Sequence, residues 1–347
     1  MDNDTQLLFN LLRIPSLSHH EADAVAFLVA EMRARGFAAA TDAAGNAVGS
    51  IGPADAPQVV LLGHIDTVPG DVPVRIEDGN LYGRGSVDAK GPLVSFVCAA
   101  SHAHAAGTLR YRVVVVGAVE EEAASSKGAH YAATQYAPVF CVIGEPSGWD
   151  RITLGYKGRL LIHYRREQPS AHSAGELRAA PEHVADFWAA IQAHCAQYNA
   201  GRERLFAQLS PSLRRIASGG DGMHDWAEAT LGLRLPEGIA PPTLADELRA
   251  LAPADQLHFE GGCPAFRSPR TTPLAGAFVR AIRANGGQPS FLHKTGTADM
   301  NVVGPAWGCP IVAYGPGDSR LDHTPNEHVA ITEFQRAIAV LGEVLGT

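Results

Sequence analysis

No apolar run in the sequence approaches the roughly 20 residues that a helix needs to cross a bilayer, so a membrane span is not expected. Basic residues are the minority: 28 Lys and Arg stand against 36 Asp and Glu, a formal net charge of -8. That balance argues against nucleic acid as the main partner, because a phosphate backbone calls for clustered positive charge. Cysteine is scarce. Cys98, Cys141, Cys195, Cys263 and Cys309 are odd in number and scattered, with no C-x-x-C. Neither a disulfide framework nor a thiolate zinc site fits, and a reducing cytoplasm is the compartment implied. Any metal must then be held by His, Asp and Glu. The acidic start, Met1-Asp2-Asn3-Asp4, lacks the positive charge of a secretory signal, so none is expected. There is no internal repeat, no low-complexity tract, and neither a G-x-G-x-x-G nor a P-loop to cradle phosphate.

What is present is ample material for a core. The 347 residues are 46% hydrophobic and 18% charged, enough for two globular domains or one large one. Short β-branched runs recur. Val59-Val60-Leu61-Leu62 runs into Gly63-His64-Ile65-Asp66. Tyr111 to Val119 runs into Glu120-Glu121-Glu122. Val139 to Gly144 ends at Glu145-Pro146, and Pro310 to Tyr314 precedes a loop containing His323. Each run reads as a buried strand that delivers a histidine or acid at its carboxyl end. Helical patterns separate the runs, as in a mostly parallel α/β sheet, and that sheet edge is where ligands and metals bind. The glycine-rich loop Leu81 to Gly91 places Asp88 just before a helix from about Pro92 to His104. Ser18 and Glu21 have capping-box spacing ahead of another helix.

After about Tyr156 the texture changes. Arg159 to Arg165 alternates as a half-exposed strand, Ala229 to Leu235 is strand-like, and helices are expected over 181–199 and 244–251. This predicts a smaller α+β domain, 157–264, inserted into a catalytic domain formed by 1–156 and 265–347.

His64, Asp66, Asp88, Glu120, Glu121, Glu145 and His323 thus collect at strand ends and loops. Histidine with carboxylate suits borderline-hard divalent metals, zinc above all. One ion would leave several carboxylates crowded and uncompensated; two ions about 3.5–4 Å apart would relieve that crowding. The alternative is that these acids are helix caps and solvated loop residues, which is the reading adopted for Glu122. His102 and His104 read as structural.

The order His-x-Asp, Asp in a Gly-rich loop, Glu-Glu after a strand, Glu-Pro and a late His-Thr-Pro-Asn-Glu resembles the dinuclear zinc aminoacylase and carboxypeptidase family. Acetylornithine deacetylase and succinyl-diaminopimelate desuccinylase belong to it. The resemblance implies two divalent ions, zinc or cobalt. It assigns His64 and Glu145 to one ion, Glu121 and His323 to the other, and Asp88 to both. It makes Glu120 the general base that takes a proton from the attacking water and returns it to the leaving amine. Asp66 would orient His64 through its other ring nitrogen, and the Asp88–Ala89 peptide would be cis. In Pro169 to Gly175, His172 resembles the family's histidine that stabilises the oxyanion. A homodimer formed through the inserted domain is also implied.

Lys294-Thr295-Gly296-Thr297-Ala298-Asp299-Met300-Asn301, together with Gly262 to Arg270 and Leu321 to Pro325, most resembles the branch that releases lysine or ornithine from the amino-group carrier protein LysW. Arg267 and Lys294 suit substrate carboxylates, and Arg234 and Asn301 are further candidates. Arg202, Arg204, Arg214 and Arg215 could form a basic rim for an acidic carrier. Two alternatives stay open: a deacetylase of N-acetylornithine or N-acetyl-lysine, and a metal-dependent peptide-binding protein without catalysis.

Overall fold

The structure is a computed structural model; it describes residues 1–172, 174–252 and 255–346. The chain forms two compact units. The first contains Met1–Gly155, Arg267–His293 and Ala298–Thr347; the second contains Tyr156–Phe266 and Lys294–Thr297. The short Lys294–Thr297 segment joins the second unit for a local reason. The Lys157 N–H donates to the Lys294 carbonyl at 3.2 Å, the Thr297 hydroxyl donates to the Lys157 carbonyl at 2.9 Å, and Arg234 donates to Thr297 Oγ1 at 2.7 Å.

The first unit is built on a mixed sheet whose middle is parallel. Arg112–Ala118, Gln58–His64, Phe140–Gly144 and Ile311–Tyr314 lie side by side and run the same way. Ala47–Ile51 adds to one flank and Arg151–Tyr156 to the other, both antiparallel. The central strands are apolar on both faces, as expected where helices cover each side: Val59 to Leu62 and Val113, Val115 and Val116 are fully buried. Burial of each such side chain contributes about 1.5–3 kcal/mol. Helix Lys90–Ala105 packs closely over this sheet, and two glycines permit it. A Cβ at Gly63 would lie 3.2 Å from that of Leu93, and a Cβ at Gly144 would meet the Phe96 ring at 2.9 Å.

The register brings the strand ends together. His64 pairs with Ala118, two residues before Glu120, and Gly63 pairs with Gly144, the residue before Glu145. A small three-stranded sheet of Arg75–Glu77, Asn80–Tyr82 and His328–Ala330 sets the Asp88 loop beside the segment that follows His323.

The second unit is a four-stranded antiparallel sheet, ordered Ser210–Gly220, His224–Leu235, Gly158–Pro169, Gln256–Cys263. Helices Ala180–Asn199 and Pro241–Arg249 accompany it, and Leu160, Ile162, Tyr164, Phe187, Leu231 and Leu233 form its own core. Its two outer strands escape a reading based on apolar runs, since Ser210–Gly220 is mostly exposed and rich in Ser, Arg and Gly. Among the described residues no helix is long and apolar enough to cross a membrane.

Candidate metal centre

All the acids and histidines collected from strand ends fall in the first unit. His64 closes its strand and is 1% exposed. Its Nδ1 faces the Asp66 carbonyl at 3.0 Å, with an Asp66 carboxylate oxygen at 3.5 Å, so Nε2 is the nitrogen turned outward. That Nε2 stands 3.1 Å from Asp88 Oδ1, and His323 Nε2 stands 3.0 Å from Asp88 Oδ2. Asp88 therefore spans the two imidazoles, one oxygen to each. The peptide that follows it, Asp88–Ala89, is cis.

The three consecutive glutamates separate. Glu120 takes a left-handed backbone, φ 60°, and its carboxylate accepts the Ser125 hydroxyl at 2.6 Å, with His19 Nδ1 at 3.3 Å and Lys127 Nζ at 3.6 Å. Glu122 instead brings Oε1 within 2.7 Å of His323 Nε2 and forms, with His64 and Asp88, a group whose donor atoms all lie within 4.8 Å of one another. This corrects the reading of Glu122. Glu122 is not a solvated loop residue, and Glu122 rather than Glu121 meets His323. The cause is the left-handed turn at Glu120, which reorients the residues that follow; nothing in three identical letters signals it. Glu121 interacts with His64, Asp299, Glu145 and Glu122. Glu145 is 8% exposed and directly follows its strand.

Asp66 is fully buried. Its carboxylate accepts the backbone N–H groups of Glu121 and Glu122, both at 3.0 Å, and the Ser18 hydroxyl at 2.7 Å. It thus ties the ends of two neighbouring strands together while lying beside His64. Ser18 caps no helix; helix Ala22–Ala34 begins without a side-chain cap. Glu21, the other half of the expected capping box, accepts the N–H groups of His19 and Glu120 at 2.9 and 3.1 Å. Both residues serve the site's scaffold.

Electrostatics follow from this crowding. Burial lowers the pKa of His64, but hydrogen bonds to Asp66 and Asp88 outweigh it and raise it well above the usual value. The carboxylates of Asp88 and Glu122 push His323 up to about 10. Burial opposes ionisation of Asp88, yet the two imidazoles hold it far below the usual carboxylate range. Burial, reinforced by neighbouring Asp299, Glu145 and Glu122, raises Glu121 well above its normal value. Burial likewise raises Glu122, helped by the Asp88 charge. Carboxylates outnumber cations here, and every donor is an imidazole nitrogen or a carboxylate oxygen. That set fits divalent cations of the zinc type, which would supply the missing positive charge.

The remaining candidates are not all gathered here. Arg267 is exposed in the first unit. Asn301 is 1% exposed and its Oδ1 accepts the Ala298 N–H at 3.1 Å, so it shapes the turn into helix Met300–Trp307 rather than presenting its amide to solvent. Arg234, Lys294 and His172 belong to the second unit. Lys294 Nζ lies 6.0 Å from the centroid of the Tyr156 ring. His172 is exposed and its Nδ1 accepts the Ala174 N–H at 3.1 Å, which places its proton on Nε2; the adjoining Ser173 lies outside the described residues. Residue patterns did not single out Ser18, Glu21, Glu122 or Glu327 as parts of the site. Only Glu327 carried a usable signal, as the last residue of the His-Thr-Pro-Asn-Glu string.

Comparison with known proteins accords with this geometry. The profile of "Peptidase family M20/M25/M40" matches residues 60–347. The [LysW]-lysine hydrolase of Deinococcus radiodurans is 46% identical over 347 aligned residues, covering 98% of this chain and 95% of that protein. The crystal structure of an M20 family metallo-carboxypeptidase from Sulfolobus solfataricus matches with a TM-score of 0.85 at 18% identity, over 100% of this chain and 99% of its own. A dinuclear metal-binding peptidase of the M20 family from Bacillus subtilis matches with a TM-score of 0.71 at 14% identity, over 99% and 97%. At those identities the two structures speak to the fold, while the profile and the long, close relative speak to descent. The chain belongs to Peptidase family M20/M25/M40.

Proposed function

We propose that the protein is a metal-dependent amide hydrolase that releases L-lysine, or L-ornithine, from the γ-carboxyl of the carrier protein LysW's C-terminal glutamate. The observation that carries this reading is 46% identity, across nearly the whole chain, to a relative named [LysW]-lysine hydrolase. The acid–imidazole cluster around Asp88 is consistent with it.

In this reading His64 and Glu145 would hold one divalent ion and Glu122 and His323 the other, with Asp88 available to either. Such ions, when bound, polarise the amide carbonyl and make water acidic enough to attack at neutral pH. Asp66 keeps His64 turned so that Nε2 faces the centre. The proton carrier is Glu121 rather than Glu120. Burial, together with the negative charges of Asp299, Glu145 and Glu122, raises its proton affinity against the opposing pull of His64. Glu120 is engaged elsewhere by Ser125, His19 and Lys127. Glu121 accepts a proton from the attacking water and delivers it to the departing α-amino group. His172, with its proton on Nε2, is the proposed donor to the oxyanion. Arg267, Lys294 and Arg234 are the proposed carboxylate anchors. Zinc is the proposed metal, the cytoplasm the proposed compartment, and a homodimer assembled through the second unit the proposed state.

The test is kcat/KM for the LysW–lysine conjugate against N-acetyl-lysine and N-acetylornithine. The conjugate is expected to react far faster. Equal values would replace the carrier reading with that of a small-molecule deacylase.

A further inference from the structure

The buried acid Glu327 has no part in the chemistry described so far, yet it grips the loop that carries Asp88. It is 0% exposed. Its Oε1 accepts three backbone N–H groups of that loop, from Gly85 at 2.9 Å, Val87 at 3.0 Å and Asp88 itself at 3.1 Å. Its Oε2 accepts from Arg84 at 2.7 Å, and its carbonyl accepts the Gly83 N–H at 3.3 Å. Gly85 has φ +88°, a conformation that L side chains rarely adopt, and a Cβ there would stand 2.9 Å from Thr67. The loop is therefore held in a conformation that its own sequence does not enforce. The strand His328–Ala330, which begins at the next residue, is fixed against Asn80–Tyr82 and so fixes where Glu327 stands.

Four residues earlier the same segment presents His323 to Asp88 Oδ2. One stretch of chain thus holds Asp88 from both ends: His323 meets its carboxylate and Glu327 meets its N–H. We propose that Glu327 is a positioning residue that sets the orientation of Asp88 and, through it, the affinity of the centre for its second metal ion. The inference rests on the two-metal reading above. A carboxylate suits this task because one oxygen can accept several N–H groups convergently and the other can pair with a guanidinium. An amide cannot do both, since its NH2 would oppose either the loop N–H groups or Arg84.

The test is zinc titration of the metal-free protein by calorimetry with a competing chelator, in wild type, Glu327→Gln, Arg84→Met and Glu333→Gln. Glu333 is the control, because its carboxylate also accepts two backbone N–H groups of the first unit, those of Trp149 and Gly317, each at 3.1 Å. The expected result is two tight equivalents in wild type and Glu333→Gln. In Glu327→Gln one equivalent weakens by about 10–100-fold, the usual effect of losing a group that supports a metal ligand. Arg84→Met weakens the same equivalent, and it keeps the test open should Glu327→Gln not fold. Two tight equivalents in Glu327→Gln, or the same weakening in Glu333→Gln, would overturn the inference alone. A wild-type protein that binds no zinc overturns the two-metal reading and this inference with it.

Discussion

Replacing Glu120, Glu121 and Glu122 singly by Gln should give three different proteins from three adjacent, identical residues. Glu120 contacts only groups outside the cluster. Its amide can still accept the Ser125 hydroxyl, and what is lost is attraction to His19 and Lys127, whose side chains are 61% and 52% exposed. The Glu120 side chain is itself 11% exposed, but both cationic partners are solvated, and pairs screened in this way contribute about 1 kcal/mol or less. A change of that size limits the effect on kcat/KM to about fivefold, with both metals retained. Glu121→Gln removes the proposed proton carrier. It should lower kcat by about 10²–10⁴, which at 1.36 kcal/mol per tenfold is about 2.7–5.4 kcal/mol, again with both metals in place. Glu122→Gln removes a proposed metal ligand and its 2.7 Å contact to His323. It should lose one metal equivalent, by more than the about 10–100-fold cost of removing a merely supporting group. The assay is metal content after dialysis, paired with single-turnover hydrolysis of the carrier conjugate. If Glu120→Gln falls by 100-fold or more with its metals intact while Glu121→Gln stays active, the assignment drawn from the geometry is refuted and Glu120 is the base.

Asp66→Asn should cost both stability and metal. The carboxylate accepts three donors, and an NH2 in place of one oxygen leaves at least one buried donor unpaired. That costs about 1–3 kcal/mol, seen as a lowered Tm, with metal affinity down by about 10–100-fold; an unchanged Tm would contradict the contacts described. The metal-free protein should lose stability as pH rises from about 6.5 towards 10. A histidine whose pKa is raised on folding stabilises fully below its unfolded value of about 6.5, and that contribution is lost through the folded value, about 10 for His323. Raised Glu121 and Glu122 act in the same direction at lower pH. Tm measured against pH should therefore fall more steeply without metal than with it, and parallel curves would be inconsistent with imidazoles that become neutral ligands. His172→Ala should lower kcat without changing metal content; loss of metal instead would assign it a different role.

Much of the fold was legible in the residues. Four β-branched runs separated by helical patterns specify a parallel α/β core, because strands buried on both faces must be apolar throughout. A histidine or acid at the end of such a run can only lie at the carboxyl edge of the sheet. His64 and Glu145 were read that way, and the register of His64 with Ala118 and of Gly63 with Gly144 brings the ends of those strands side by side. The edge strands of the second unit were not legible, since Ser210–Gly220 carries little apolar signal.

What the residues could not decide is which of several like groups does which task. Glu120, Glu121 and Glu122 have the same chemistry, and their roles divide only at the φ 60° turn of Glu120, held where the Glu120 N–H meets Glu21 and the next two N–H groups meet Asp66. Ser18 and Glu21 have helix-capping spacing, but their side chains also reach residues 48 and 99 positions away. Glu327 is separated from Gly85 by 242 positions and meets it at 2.9 Å. Local sequence determines which segments become strand, helix or loop, because propensity and periodicity act over a few residues. The partner of a buried polar group is set by whichever distant segment folds against it, and only the tertiary structure supplies that segment.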